Sequence, residues 1–358
     1  LIEAVKKVPY VVCADVNMTD TAKYADLVLP VPHIFETEDY DSGCPTPYLM
    51  FQQKAVETHQ EAPERLAGTL VSTRRLNAVL ERVEAVNAGK PITFFEVTTA
   101  AAFVLFAETP ADYLLLETGM GGSYDTTNVV REPLGVVINP VDLDHQGFLG
   151  DTVAEIAVSK AGIIKRGAKA VIGLQQPEGR DVIERAARRL GVRPVYQGED
   201  FHGAEQDGRL VYQDEAGLLD LPPSSLLGAH QVDNASLAIA AVRFFGLPVD
   251  AAALERGLRN VVWPARLMPL GGKLRGLLSP GSELWLDGGH NAHGAAALAR
   301  AMGEMAAKRP LPLVLVMGMM NTRQPAEFLQ FFNGLAEEVV ALTIPGEANA
   351  HPAQHLAA

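Results

Sequence analysis

The feature that most constrains the fold of this chain is an alternation of short apolar runs with helix-period segments over most of its 358 residues. The apolar runs are Tyr113–Glu117, Leu134–Asn139, Ala170–Leu174, Arg193–Tyr196, Glu283–Asp287, Pro312–Met317 and Val339–Ile344. The helical segments between them include Thr152–Lys160, Val182–Leu190, Gln231–Phe245 and Ala295–Ala307. Buried strands that alternate with helices are typical of a parallel sheet covered on both faces. The sequence therefore predicts an α/β fold.

Charge, hydropathy and cysteine content exclude several classes of protein. The formal net charge of −13 argues against general nucleic-acid binding. No apolar run is long enough for a membrane-spanning helix, and the first residues lack the pattern of a secretion signal. Cys13 and Cys44 cannot form a disulfide framework, and no Cys/His spacing suggests a zinc site. We expect a cytoplasmic protein.

The clearest local motif is the segment Glu117–Asn128, which follows an apolar run and is rich in glycine. Open α/β sheets bind ligands where such strands end, and Gly121 and Gly122 would let backbone N–H groups approach an anion. The spacing is not that of a dinucleotide-binding fingerprint. The same residues also suit a simple tight turn that Asp125 and Asn128 cap.

A second polar cluster, Asp142–His145, follows the next apolar run. An imidazole beside carboxylates suits a divalent metal or a proton transfer, although a His in a polar loop is also a common surface residue. Lys160 falls at the end of a predicted helix, where a cation is favoured by the helix dipole alone.

Two further clusters occupy the second half of the chain. Asp287–Asn291 repeats the arrangement of a strand end, two glycines and polar residues that open a helix. His230–Asn234 opens another helix, which its polar residues could simply cap. Neither the Gly-x-x-x-x-Gly-Lys-[Ser/Thr] phosphate loop nor the Gly-x-Ser-x-Gly nucleophile elbow occurs in the sequence.

From about Arg65 to the end, the chain resembles the bacterial folylpolyglutamate synthase/dihydrofolate synthase family of Mur-type ligases. The segments that carry the resemblance are Pro91–Ala100, Glu117–Asn128, Leu143–His145, Lys160–Ile163, His230–Asn234, Trp263–Arg266, Leu286–Asn291 and Gly318–Met320. The resemblance implies a parallel-sheet central ATPase domain over residues 65–266 and a smaller α/β domain over residues 270–358. It also implies that the first domain is truncated at its N-terminus and the second at its C-terminus.

The resemblance also implies roles for individual residues. Glu117 and His145 match magnesium ligands, and Lys160 matches a lysine that is carboxylated beside the metal; these three form the expected catalytic group. The expected ATP-binding residues are Asn234, Arg266, Asp287 and His290. The expected substrate loop comprises Gly121, Gly122, Asp125 and Asn128.

The implied reaction joins L-glutamate to dihydropteroate or folate through an acyl phosphate, with ATP as a substrate and Mg²⁺ as cofactor. The expected partners are these small molecules only, with no nucleic acid and no membrane, and a monomer is expected.

The chain departs from the family pattern at several positions. Ser123 replaces an arginine, Ala292 a proline, and Arg323-Gln324 a Lys-Asp pair. The family's phosphate-binding loop, Gly-Thr-Asn-Gly-Lys-Gly-Ser, would lie before residue 65 and does not occur. Because such a loop holds the β- and γ-phosphates, we expect the ligase activity of this chain to be impaired.

Residues 1–58 instead resemble an interior fragment of molybdopterin-dependent oxidoreductases, in Asp15–Ala22, Tyr24–Pro30 and Gln52–Glu57. This segment would not enclose a cofactor alone. The sequence therefore predicts a join between unrelated fragments near His59, by gene fusion or by sequence assembly. A non-catalytic remnant and an oxidoreductase fragment are the alternative hypotheses for function.

Overall fold

A computed structural model describes residues 12–15, 27–30, 71–109, 111–272 and 278–356. The chain divides into two compact units, Leu1–Arg131 and Glu132–Ala358. Among the described helices, none is long and apolar enough to cross a membrane. The predicted join near His59 lies outside the described residues, and the predicted boundary at residues 266–270 stays a prediction.

The first unit contains the parallel strand pair β1 (Val12–Asp15) and β2 (Leu27–Pro30). It also contains helices α1 (Thr73–Asn87) and α2 (Phe94–Ala107). Val79 and Val83 of α1 pack with Leu105 of α2 in a small apolar core. Helix α2 begins with a capping box in which Thr93 and Glu96 satisfy each other's backbone N–H groups.

The predicted strand Tyr113–Glu117 is wrong, because the structure assigns no strand to these residues. Leu114 and Leu115 are 42% and 49% exposed. An apolar run forms a strand only when a neighbouring strand pairs with its backbone, and within the described residues none is paired with this run.

A parallel sheet organises the second unit, as the α/β prediction requires. Its strands are β3 (Gly135–Ile138), β4 (Lys169–Ile172) and β5 (Val195–Tyr196), in spatial order β3-β4-β5. The helices α3 (Gln146–Leu149), α4 (Val153–Ala161) and α5 (Pro177–Leu190) connect them. Ile156, Ile172 and Ile183 are fully buried between the sheet and these helices.

A three-stranded antiparallel sheet follows, which the apolar runs of the sequence do not predict. Its strands are β6 (Phe201–Gln206), β7 (Arg209–Asp214) and β8 (Gly217–Leu221). Helix α6 (Ala229–Phe245) packs on both β4 and β6, so a second core forms from Val171, Tyr212 and Leu237. Helix α7 (Ala251–Asn260) closes this part of the chain.

Residues 268–356 complete the second unit. Strands β9 (Met268–Pro269) and β10 (Trp285–Leu286) pair antiparallel, so the predicted strand at Glu283–Asp287 is shorter than expected and outside the parallel sheet. Helix α8 (Ala292–Lys308), strand β11 (Leu313–Met317), helix α9 (Pro325–Leu329), a 3₁₀ turn (Gln330–Phe332), strand β12 (Ala336–Ala341) and helix α10 (Ala353–Leu356) follow. Strands β11 and β12 are parallel, and β12 begins three residues before the predicted Val339.

Candidate functional site

In the first unit, Asp125 organises the glycine-rich loop that contains the expected substrate residues. Its Oδ2 accepts hydrogen bonds from the backbone N–H groups of Gly119 and Met120, at 3.0 and 2.9 Å. Its Oδ1 accepts from both the N–H and the hydroxyl of Thr127, at 2.9 and 2.6 Å. A carboxylate with this many internal donors stabilises its own loop. The geometry therefore favours the turn-capping interpretation of Asp125 over direct contact with a substrate.

Helix α2 supports the same loop. A Cβ atom built on Gly119 would lie 2.2 Å from Cζ of Phe95, so only glycine fits there without displacement. The Thr126 hydroxyl donates to the Thr99 hydroxyl at 3.1 Å. Gly121 has a φ of +69°, which favours glycine. Gly121 and Gly122 are buried, whereas Glu117, just before the loop, is exposed.

The second unit places Asp144 at the centre of a hydrogen-bonded cluster beyond the end of β3. Its Oδ1 accepts from Nη1 of Arg323 at 2.9 Å and from the backbone N–H of His145 at 2.9 Å. Its Oδ2 accepts from Nδ2 of Asn291 at 3.2 Å. Burial alone would raise the pKa of Asp144, but the hydrogen bond and charge of Arg323 and the nearby His145 lower the pKa below its usual value. Asp144 is therefore an ionised carboxylate at neutral pH.

Asp142 forms a second contact between the loop after β3 and the start of helix α8. Its Oδ2 lies 3.0 Å from Nδ1 of His293 in α8, and its Oδ1 accepts from the backbone N–H of Leu143 and from Nε2 of Gln176, at 2.8 and 3.3 Å. Burial raises the pKa of Asp142, but the hydrogen bonds from His293 and Leu143 outweigh it and lower the pKa. His145, the predicted metal ligand in this loop, has a left-handed φ of +53°.

The turn after β10 is braced by Asp287, a predicted ATP-binding residue. Its Oδ2 accepts from the backbone N–H of Leu267 and its Oδ1 from that of Gly289, both at 2.7 Å. The Gly288 N–H also donates to the Ala265 carbonyl at 2.8 Å. Ala265 and Leu267 have left-handed φ angles of 55° and 42°, which are costly for residues that carry a Cβ. Asp287 thus holds a strained segment that presents the exposed Arg266 between them.

Three predicted residues of the second unit, Arg266, Asp287 and His290, lie in or beside this turn. His290 Nδ1 lies 3.0 Å from the Gly288 carbonyl, in the same turn as Asp287. At the start of α6, Asn234 donates through Nδ2 to Oε1 of Gln231 at 3.2 Å. Burial lowers the pKa of the neighbouring His230, although the charge of Asp287 opposes this, and Arg266 is also close enough to affect it. The predicted ATP-binding residues Arg266, Asp287 and His290 therefore lie together, beside the helix start that carries Asn234.

Lys160 belongs to helix α4 and not to the loops that form this cluster. It is half-buried in the last turn of α4, and its side chain makes no hydrogen bond or ion pair with the residues around Asp144 or Asp287. The helix begins with a capping box of Thr152 and Glu155, which fixes its start. The expected carboxylation of Lys160 stays a prediction.

The described residues do not present a preformed metal site. Among them, no group of three or more His, Cys, Asp or Glu side chains could hold a metal ion. Asp144 is hydrogen-bonded to an arginine and an amide, and Asp142 to a histidine, so both carboxylates are already engaged by protein donors. Asp142 and Asp144, paired in this way, do not form a metal site by themselves. The assignment of Glu117 and His145 as metal ligands stays a prediction.

In the loop after β3, the sequence pattern marks His145 as the functional residue. It does not reveal the contacts that Asp144 makes with Asn291 and Arg323. Asp144 lies inside the Leu143–His145 motif, so the sequence does contain an indication that this residue is functional. The partner Arg323 lies 179 residues further along the chain, and only the fold reveals that contact.

Comparisons with known proteins agree on one group of enzymes. No protein-family model matches the chain. It is 35% identical over 258 residues to the dihydrofolate synthase/folylpolyglutamate synthase of Bacillus subtilis, covering 68% of this chain and 57% of that protein. It is 27% identical over 350 residues to the folylpolyglutamate synthase of Lacticaseibacillus casei, covering 94% of this chain and 78% of that protein.

The second of these alignments is longer than residues 65–358 alone can supply, so it extends into the first 64 residues. The predicted resemblance of residues 1–57 to molybdopterin-dependent oxidoreductases receives no support from the comparisons.

Solved structures give the same result for the fold. The structure of E. coli FolC in complex with DHPP and ADP superposes with a TM-score of 0.71 at 26% identity, over 82% of this chain and 68% of that chain. A bifunctional folylpolyglutamate synthase/dihydrofolate synthase with Mn, AMPPNP and L-glutamate bound gives 0.68 at 26% identity, over 81% and 67%.

Proposed function

Because the chain belongs to the folylpolyglutamate synthase/dihydrofolate synthase family of ATP-dependent ligases, we propose that it takes part in joining L-glutamate to a pteroate or folate carboxylate. ATP is the proposed phosphoryl donor, and a divalent cation, expected to be Mg²⁺, is the proposed cofactor. ADP and AMPPNP in the related structures, with Mn in one of them, support this choice.

The proposed chemistry has two steps. A carboxylate oxygen of the pteroate or folate attacks the γ-phosphorus of ATP, so that ADP leaves and an acyl phosphate forms. The amino nitrogen of glutamate then attacks the acyl carbon, inorganic phosphate leaves, and the nitrogen loses a proton as the amide forms. A divalent cation would screen charge on the phosphates.

The observation that carries the proposal is the arrangement of the predicted ATP-binding residues around Asp287. Its carboxylate accepts from the Leu267 N–H, and the N–H of the adjacent Gly288 donates to the Ala265 carbonyl, so the backbone is held on both sides of Arg266. A preorganised cation of this kind attracts phosphate without the cost of reorganisation. In this proposal, Arg266 binds the nucleotide and Asp287 positions it.

The test follows the product. The chain is incubated with ATP, Mg²⁺, L-glutamate and either dihydropteroate or tetrahydrofolate, and mass spectrometry detects a product heavier by one glutamate. We expect the product to form slowly, because no phosphate loop of the family type occurs in residues 1–358, and to require ATP. With ¹⁸O in the substrate carboxylate, one labelled oxygen should appear in the released phosphate.

Two outcomes contradict parts of the proposal. ATP-independent product, or phosphate without ¹⁸O, would exclude the acyl-phosphate route. Absence of product at enzyme concentrations equal to substrate, with ADP still bound, would favour a nucleotide-binding protein without ligase activity.

A further inference from the structure

Asp144 joins three features of the second unit that are distant in sequence. It contacts Arg323, beyond the end of β11, and Asn291, which begins α8, and it also holds the backbone of the adjacent His145. Asn291 is the N-cap of α8, where its Oδ1 accepts from the Gly294 N–H at 2.8 Å. A single carboxylate thus connects the loop after β3 with two loops of residues 278–356.

The turn Asp287–Asn291 is held at both ends. The contact between Asn291 and Asp144 fixes its last residue, and the contacts of Asp287 fix its first. Asp287 is tied to the backbone of Leu267, and four residues later Asn291 is tied to Asp144. His290 lies between these two attachment points. The position of the turn relative to the loop after β3 therefore depends on Asp144.

The Arg323 contact leaves most of that guanidinium's donors available. Only Nη1 bonds to Asp144, and within the described part of the chain Arg323 has no other side-chain partner. The Arg323 carbonyl lies 2.9 Å from Nε2 of His351, so the backbone of this residue is itself held. The Arg323 and Asp144 side chains are 27% and 34% exposed, so their pairing is less screened than that of a surface pair.

We propose that Asp144 is a positioning residue: its contacts with Arg323 and Asn291 hold the Asp287–Asn291 turn in the geometry that binds nucleotide. The Asp142–His293 contact assists it as a second point of attachment. The inference rests on the proposed function in one respect, that the ligand of the turn is a nucleotide.

The first experiment tests the contact without any ligand. Asp144→Asn, Arg323→Gln and the double variant are unfolded in urea, with fluorescence from Trp263 and Trp285, which both lie in the second unit, as the signal. Because the two residues form one ion pair, the effects on the unfolding equilibrium constant should be non-additive by about fivefold or more. Additive effects would overturn the proposal.

The second experiment measures ADP binding by calorimetry on the same proteins. Asp144→Asn should weaken ADP binding by about tenfold, because an uncharged amide at this position cannot form the ion pair with Arg323, and the double variant should be no weaker than the single ones. Asp220→Asn is the matched control, because Asp220 pairs with Arg209 in the antiparallel sheet of the same unit. This variant should bind ADP as the unmodified chain does.

The two proposals fail in different ways. Unchanged ADP affinity in Asp144→Asn would overturn the positioning role and leave the nucleotide site in place. No ADP binding by the unmodified chain would overturn the proposed function, and the unfolding cycle would still decide whether Asp144 and Arg323 are coupled.

Discussion

At the scale of single residues, the structure separates carboxylates that support loops from side chains that remain available for ligands. Asp125 and Asp287 resemble each other in this respect, since each accepts backbone N–H groups from the turn that it stabilises. The cationic Arg266 and the imidazole of His290 are exposed beside the second of these turns. Direct ligand contacts are therefore expected from Arg266 and His290, and indirect effects from Asp125 and Asp287.

The close contact at Gly119 gives a prediction for the loop of the first unit. Gly119→Ala should displace the Phe95 ring, and with it the N–H groups of Gly119 and Met120 from Asp125. Hydrogen exchange of residues 119–127 should accelerate by about tenfold, since lost protection reports local opening. Gly147→Ala is the control, because nothing lies within 4 Å of a Cβ at that position. Unchanged protection of residues 119–127 in Gly119→Ala would contradict this prediction.

A polar network in the second core gives a prediction for stability. Arg243 donates through Nε and Nη2 to the two carboxylate oxygens of Asp214, at 2.6 and 2.8 Å, and the buried Tyr212 hydroxyl donates to the same carboxylate at 3.0 Å. Arg243→Met should cost about 2–3 kcal/mol in the free energy of unfolding, because it leaves a largely buried carboxylate without its cation. Tryptophan fluorescence in urea measures this loss.

The comparison for that network is Arg209→Met, which removes the partner of the more exposed Asp220. It should cost less than about 1 kcal/mol. Equal losses at the two positions would mean that burial does not set the strength of the Asp214 pair.

At the scale of elements, helix α4 connects the loop after β3 with Lys160. Thr152 caps its first turn, accepting from the Glu155 N–H at 3.2 Å while Oε2 of Glu155 accepts from the Thr152 N–H at 3.1 Å. Thr152→Ala should destabilise the second unit by about 1 kcal/mol, which urea unfolding measures. Thr152→Ser retains the hydroxyl and should lose much less. A loss as large in the serine variant would contradict the capping explanation.

Elements with a strong local pattern could be predicted from the sequence, and elements that depend on distant partners could not. Strands β3 and β4 and helix α4 lie within a few residues of their predicted positions, because apolar runs and helical periodicity are local properties. Tyr113–Glu117 has the same apolar pattern but no paired neighbour among the described residues. The pattern alone could not show this difference.

The sequence contains an indication of the antiparallel sheet, but it is a turn motif and not an apolar run. Asp207 and Gly208 both have positive φ, at 50° and 73°, between β6 and β7. An Asp-Gly pair in this conformation is typical of a two-residue hairpin turn. Most of β6 is exposed and polar, so this strand lacked the apolar run that identified the others.

At the scale of the whole molecule, the loop after β3 is attached to residues 278–356 through charged groups, so acid should weaken this attachment. The pKa of Asp142 is lowered in the folded protein, so between its folded and unfolded pKa values the unfolded chain binds more protons than the folded one. Its contribution is therefore present above the unfolded pKa of about 4 and is lost as the pH falls through the lower, folded pKa.

Urea unfolding midpoints measured between pH 7 and pH 3 test whether the contribution of Asp142 is lost as the pH falls. Asp142→Asn should lower stability at pH 7 and should reduce the further loss between about pH 5 and pH 3. An unchanged acid dependence in Asp142→Asn would show that this carboxylate does not contribute to the attachment.

The central claim is that the turn at Asp287 is the nucleotide-binding centre of a folate-type ligase. Calorimetric titration of ADP into the unmodified chain, Asp287→Ala and Glu283→Gln tests this most directly. Glu283 is a suitable control, because its carboxylate pairs with Arg309 and Trp285 and, in the part of the chain that the structure describes, makes no hydrogen bond to the backbone of the turn. We predict binding by the unmodified chain and by Glu283→Gln, and binding at least about tenfold weaker, or about 1.4 kcal/mol, in Asp287→Ala. Equal ADP affinity in Asp287→Ala, or no binding by the unmodified chain, would contradict the claim.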